Sequence, residues 1–165
     1  HDDGDLTVDM GPARAGLSGE VVEVDLPAVV GPGPAVALPT PHVGVEVTSL
    51  LAGGVLTSMP RLEPPALFPD GANVELVVRA GPEHLSMRVW ERGVGETLSC
   101  GTGVCAVAWV AMREDGAGVG ARYTIDVPGG RLWVTKDDRD SLHLRGPALL
   151  VAEGTFDARR LLGEA

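Results

Sequence analysis

Cys100 is followed at once by Gly101-Thr102-Gly103, and then by an unbroken apolar run from Val104 to Met112. A helix over that run has no polar face, so it must be buried on all sides. Its start carries the chemistry. The glycines leave the first-turn backbone N–H groups open and unpaired, a site for a carboxylate or phosphate at the positive end of the helix dipole. A cysteine at that end is expected to have a lowered thiol pKa, because its thiolate feels the same dipole and accepts the same hydrogen bonds. Cys105, inside the apolar run, reads instead as an inert buried thiol. A short glycine-rich turn alone is a weak signal, since such turns also serve as plain helix entries.

Something must deliver that helix, and the flanking sequence reads as strands. Leu6 to Met10, Glu20 to Leu26, His42 to Val47, Asn73 to Val78 and Leu85 to Trp90 alternate or run apolar, with Gly16 to Gly19 closing the first connection. Beyond the helix, Arg113-Glu114-Asp115-Gly116 is a polar stop. Tyr123 to Val127, Arg131 to Thr135, Ser141 to Leu144 and Ala148 to Ala152 then read as four more strands. Gly31-Pro32-Gly33-Pro34 reads as a breaker and a surface turn. Residues 49 to 71 hold too many prolines and glycines for long elements, and Phe156 to Leu162 reads as a short terminal helix. Strands gathered about one apolar helix predict an α+β class, a curled, mostly antiparallel sheet wrapped around one buried central helix. The last site-bearing strand, Leu85 to Trp90, runs directly into Glu91 and Arg92.

Length and composition set outer bounds. The 165 residues suit a single domain, 1–165, with a sizeable core. Thirteen basic against twenty-three acidic residues give a net charge of −10, which argues against nucleic acid or an anionic membrane surface as partner. The longest apolar run is too short to span a bilayer. The two cysteines, five apart on one helix, point in different directions and cannot bridge within it, so the expected home is a reducing cytoplasm. No His/Cys/Asp/Glu grouping has metal-ligand spacing, and no phosphate loop or dinucleotide fingerprint is present.

Glu91-Arg92-Gly93, Glu96-Thr97 and Ser99-Cys100-Gly101-Thr102-Gly103, with Cys105 further along, resemble the signature of the diaminopimelate epimerases. These are cofactor-independent enzymes that invert one carbon of an amino acid between two cysteines. The resemblance runs from Val8-Asp9-Met10-Gly11 to about Gly154, yet covers half of the family's pattern. It implies the C-terminal lobe of a two-lobe enzyme, with the N-terminal lobe and its cysteine absent from this sequence. The activity implied is conversion of L,L- to meso-diaminopimelate in lysine and peptidoglycan precursor synthesis, by a cytoplasmic homodimer with a small amino acid as substrate. No cofactor is implied, and Lys136 is the only lysine, without the setting that pyridoxal phosphate chemistry would need.

The resemblance assigns roles residue by residue. Cys100 matches one of the two acid/base cysteines, and Gly101 and Thr102 the amides that grip the carboxylate on the reacting carbon. Arg92 matches a clamp on the distal carboxylate, Asn73 a hydrogen-bonding group at that end, and Glu91 a position near the distal amine. His42 matches the histidine of the family's Gly-Asn-Pro-His motif, which here reads Pro39-Thr40-Pro41-His42. Thr40 therefore stands where the family has a distal-end asparagine, which leaves open a racemase or epimerase for another amino acid. A free-standing lobe that binds a ligand without turnover is a third reading. Taken singly, Glu91 and Arg92 could be a surface ion pair, Asn73 a turn residue and His42 a structural histidine. Their joint spacing relative to Cys100 raises them above that.

Overall fold

The computed structural model describes residues 4–14 and 21–155. The Gly16 to Gly19 connection and the terminal helix expected over Phe156 to Leu162 lie outside the described residues. Among the described residues eleven strands form one sheet: β1 (Asp5–Pro12), β2 (Val21–Leu26), β3 (Val29–Ala37), β4 (Pro41–Glu46), β5 (Arg61–Glu63), β6 (Asn73–Gly81), β7 (His84–Glu91), β8 (Gly95–Thr97), β9 (Arg122–Val127), β10 (Gly130–Lys136) and β11 (Ser141–Pro147). Among the described residues one α-helix, α1 (Gly101–Glu114), lies against it. The class is α+β, as the alternating strands and single apolar helix require.

The strand order is β1-β11-β10-β9-β7-β6-β4-β3-β2-β5, with β8 on β7. Neighbours are antiparallel except for β4 with β6 and β7 with β9. An isolated bridge between Arg14 and Ala37 brings the β1 end of the sheet back against β3, curling it about α1. Leu85, Met87, Val89, Tyr123, Ile125, Val134 and Leu142 pack on the helix from several strands. On the opposite face of β4 and β6, Val43, Val45, Val74 and Leu76 form a second core with Val22, Val24 and Trp90. Each such fully buried aliphatic side chain contributes about 1.5–3 kcal/mol.

Period-two alternation sorts β6 between these cores. Val74 and Leu76 turn to the second core, while Val77 packs with the helix cluster and Glu75 lies beneath the helix's first turn. The parallel register sets His42 of β4 beside Asn73 of β6.

Three sequence expectations are corrected. Gly31-Pro32-Gly33-Pro34 is no turn but the first half of β3. There β3 pairs with β2 alone, because its register with β4 begins at Ala35, so the missing proline N–H groups cost no second ladder. A Cβ on Gly33 would collide with the Gly44 carbonyl, so the close approach of β4 demands glycine. Ala148 to Ala152 is not a strand: both sides of β11 are taken by β1 and β10, and Leu149, Leu150 and Val151 stand exposed. Finally, α1 is buried through Gly103 to Ala108 and at Ala111 and Met112, but Trp109 and Val110 are half-buried. Arg113 stacks on the Trp109 ring at 4.6 Å, and Val110 lines a cavity of about 220 Å³ with Pro32, Pro34 and Arg79. The irregular stretch 49–71 contains two 3₁₀ turns, Leu50–Gly53 and Pro65–Leu67, besides β5.

Candidate active site

The site is built where strands end and the helix begins. Cys100 is the N-cap of α1, with φ −129° and ψ 110°, and the first intrahelical bond runs from Val104 N–H to the Cys100 carbonyl at 2.9 Å. The amides of Gly101, Thr102 and Gly103 thus have no acceptor within the helix. They point out of its positive end, beside a thiol that is only 8% exposed.

Burial changes the thiol's expected chemistry. The Cys100 pKa is raised, not lowered: desolvation is the largest cause, and the Glu91 and Glu75 carboxylates add to it. The Thr102 hydroxyl and the Gly103 amide pull the other way and do not win. Cys105, fully buried, is pushed up to about 12 by desolvation, as its reading as an inert core thiol requires.

From Cys100 a hydrogen-bonded row leads inward. Its Sγ lies 3.4 Å from Thr102 Oγ1, which lies 3.3 Å from Thr40 Oγ1. Thr40 Oγ1 is 3.0 Å from His42 Nε2, and His42 Nδ1 is 2.7 Å from Glu75 Oε1. His42 and Glu75 are both buried, at 1% and 0% exposure. Desolvation raises the Glu75 pKa, and the His42 hydrogen bond opposes it.

Asn73 joins the row to the other expected residues. Its Nδ2 donates to Thr40 Oγ1 at 3.4 Å and its Oδ1 accepts the Arg92 backbone N–H at 2.8 Å. Asn73 begins a central strand and is 6% exposed, so it is no surface turn residue. The Arg92 guanidinium reaches the Gly71 carbonyl at 3.4 Å and makes no ion pair among the described residues. Glu91 does not pair with it; the Glu91 carboxylate accepts the Thr97 hydroxyl proton at 2.5 Å. The Arg92 guanidinium stands exposed at the surface of the site.

All eight residues singled out in the sequence fall in this one region. The residue the sequence reading missed is Glu75. A carboxylate between Val74 and Leu76 was its only local signal. The pairing with His42 depends on a parallel register that no local pattern reveals. The other histidines among the described residues are held elsewhere, His84 by Asp126 at 2.8 Å and His143 by Asp137 at 3.1 Å. No group of three or more His, Cys, Asp or Glu among the described residues could hold a metal ion. The cavity of about 220 Å³ lies along the C-terminal half of α1, lined by Ala106, Val110 and Glu114, and includes none of the site residues.

A sequence model of the diaminopimelate epimerase family matches residues 35–151, spanning the whole row from Thr40 to Cys100. The chain belongs to that family. It is 46% identical to the diaminopimelate epimerase of Streptomyces coelicolor, over 97% of this chain and 56% of the relative. The Mycolicibacterium smegmatis and Thermobifida fusca enzymes of the same name are 42% and 40% identical, over 51% and 53% of their own lengths. The chain therefore spans about half the length of the curated relatives it matches. Among solved structures, a predicted epimerase from Pseudomonas aeruginosa superposes with a TM-score of 0.57 at 16% identity, covering 90% of this chain and 59% of that one. That likeness speaks to the fold. No helix among the described residues is long and apolar enough to cross a membrane.

Proposed function

We propose that this chain is the C-terminal lobe of a diaminopimelate epimerase of the cytoplasm, and that Cys100 is one of its two acid/base groups. The observation that carries the reading is the juxtaposition at the start of α1: a thiol at the N-cap, beside amides with no helical acceptor. Removing a proton from the α-carbon of an amino acid puts charge onto the adjacent carboxylate. The amides of Gly101 and Thr102, backed by the helix dipole, are aimed where that charge grows. Arg92, with Asn73 behind its backbone, and Glu91 then hold the end of the substrate that does not react. The family needs a thiol on the opposite face of the carbon, and Cys105, buried in the core, cannot supply it. A second lobe is therefore the partner. The exposed apolar side chains of Leu6, Val8, Leu149, Leu150 and Val151 give that lobe something to cover.

One observation favours a second reading, an epimerase or racemase for another amino acid. Thr40 Oγ1 is already engaged with His42, Thr102 and Asn73, so it offers less to a distal carboxylate or amine than an asparagine would.

The test compares two proteins, the 165-residue chain alone and the complete reading frame that encodes it. The complete protein is expected to convert L,L- to meso-diaminopimelate, and to lose that activity in the Cys100→Ser variant. The isolated chain is expected to be inactive, since one base has no partner on the other face to return a proton. Robust conversion by the isolated chain, or full activity of Cys100→Ser in the complete protein, overturns the reading.

A further inference from the structure

The proposed chemistry leaves Glu75 without a task. A buried carboxylate gives up its hydration, and a buried imidazole beside it offsets that loss only in part. An apolar side chain of similar volume would serve packing better. Yet Oε1 is bound to His42 at 2.7 Å, and Oε2 is buried with no hydrogen-bond partner among the described residues.

The rest of the row suggests the task. Each hydroxyl has one proton to give and lone pairs to accept, so the row can point either way. With a proton on His42 Nδ1 facing Glu75, Nε2 accepts from Thr40, Thr40 from Thr102, and Thr102 from the Cys100 thiol. Reversed, the imidazolium Nε2–H donates to Thr40, Thr40 to Thr102, and Thr102 to a Cys100 thiolate. Asn73 Nδ2, donating to Thr40 Oγ1 at 3.4 Å, is compatible with both directions.

We propose that this row is a proton relay, in which Glu75 holds His42 as the acceptor of the Cys100 proton. In the forward step the Cys100 S–H bond breaks and its electron pair stays on Sγ. The proton passes to Thr102 Oγ1 as the Thr102 hydroxyl proton passes to Thr40 and the Thr40 proton to His42 Nε2. The products are a thiolate and an imidazolium, with the Glu75 carboxylate beside the new positive charge. Net charge is unchanged, and the return step restores the thiol. Glu75 is thus a positioning residue, acting through His42. The inference rests on the reading of Cys100 as an acid/base group.

A competing effect makes the idea testable by sign. Among the described residues, the ionisable groups acting on Cys100 are Glu91 from β7, Glu75 from β6 and Cys105 from its own helix, with His42 of β4 bound to Glu75 and separated from the thiol by the two threonine hydroxyls. Acting only through its field, the Glu75 charge hinders the thiolate, and removing it would ease ionisation. Acting through the relay, it stabilises the imidazolium that the proton reaches, and removing it would make ionisation harder.

The experiment is brief iodoacetamide labelling of the folded 165-residue chain across a pH series. Cys100 is followed by peptide mapping, in the unaltered chain and in Glu75→Gln, Thr40→Val and Thr40→Ser. The relay predicts that Glu75→Gln and Thr40→Val raise the midpoint pH of Cys100 labelling by about one unit or more, roughly tenfold slower labelling at neutral pH. Thr40→Ser, which keeps the hydroxyl, is expected to stay close to the unaltered chain. A midpoint lowered by Glu75→Gln, or unmoved by Thr40→Val, overturns the relay. Should circular dichroism show that Glu75→Gln does not fold, the Val and Ser variants of the half-buried Thr40 decide alone. Labelling needs no turnover, so the relay can fail while the complete protein still epimerises through Cys100, and can stand if that protein acts on no diaminopimelate.

Discussion

Glu75 Oε1 lies 2.7 Å from the point a Cβ on residue 103 would occupy, so the carboxylate and the first turn of α1 fit together only because Gly103 has no side chain. The backbone there needs no positive φ; the close approach is the whole requirement. Gly103→Ala is therefore expected to push Glu75 or the helix start aside. Overpacking of this kind costs about 1–3 kcal/mol, and the better helix propensity of alanine returns at most ~1 kcal/mol. A net loss on the order of 1–2 kcal/mol in urea unfolding is expected. Gly101→Ala should cost less, because its nearest neighbour is the flexible end of Leu144 at 3.2 Å. Equal losses at the two glycines would show that Glu75 is not the obstacle.

Asn73 supports the site from below, and its removal leaves buried partners behind. Asn73→Ala takes the acceptor from the Arg92 backbone N–H and the donor from Thr40. The expected cost is about 1–3 kcal/mol of stability. In the complete enzyme the same change frees the backbone that aims Arg92, so KM for a substrate with a distal carboxylate should rise more than kcat falls. Urea titration and steady-state kinetics check the two halves separately.

What the sequence revealed followed how local each signal was. The site's helix was legible because glycines at its start and an unbroken apolar run are adjacent in the chain. Strands with clean alternation, such as Val21–Leu26 and Arg122–Val127, were legible for the same reason. β3 was not, since proline reads as a breaker until the register shows a second neighbour missing on that half of the strand. The apolar Leu149-Leu150-Val151 had a strand's composition and found no free edge. Glu75 was hidden because its meaning comes from His42, thirty-three residues away on a parallel neighbour. The Cys100 pKa was misjudged in sign, because the helix end is visible in sequence and the depth of burial is not.

The two cysteines should separate cleanly in reactivity. Both thiols are raised, yet Cys105 is fully enclosed and pushed to about 12, while Cys100 keeps an edge of exposure at the helix start. The thiolate is the nucleophile, so brief alkylation near neutral pH should label Cys100 well before Cys105. Comparable labelling of both in the folded chain would remove Cys100 from its assigned place.

Alkaline pH should loosen the core through the same buried thiol. The Cys105 pKa is raised in the fold, from an ordinary 9.0 to about 12, so the folded chain holds that proton more tightly than the unfolded one. Its contribution to stability is then fully present below pH 9 and is lost as pH rises toward 12. Unfolding free energy measured from pH 8 upward should fall across that window. Cys105→Ala, though less stable at neutral pH through its lost packing, should show a shallower decline. An unchanged slope would mean that other groups carry the alkaline transition.

Thr40 offers the sharpest kinetic separation. Its hydroxyl sits within 3.0–3.4 Å of His42, Thr102 and Asn73, so it is committed to the protein. An asparagine in its place reaches further and presents both a donor and an acceptor, which suits the distal end of a diaminopimelate. That end does not react, so the new contact would be felt about equally in ground and transition states and would lower KM; one neutral hydrogen bond is worth on the order of 1 kcal/mol, roughly fivefold. The same substitution removes a hydroxyl from the row between His42 and Cys100, and kcat should fall with it. Thr40→Asn in the complete enzyme is therefore expected to move KM and kcat down together, with kcat/KM changing less than either. Steady-state kinetics with L,L-diaminopimelate would decide it. A rise in kcat would show that the row plays no part in turnover, and faster turnover of a small neutral amino acid than of diaminopimelate by the unaltered enzyme would move the substrate assignment to the second reading.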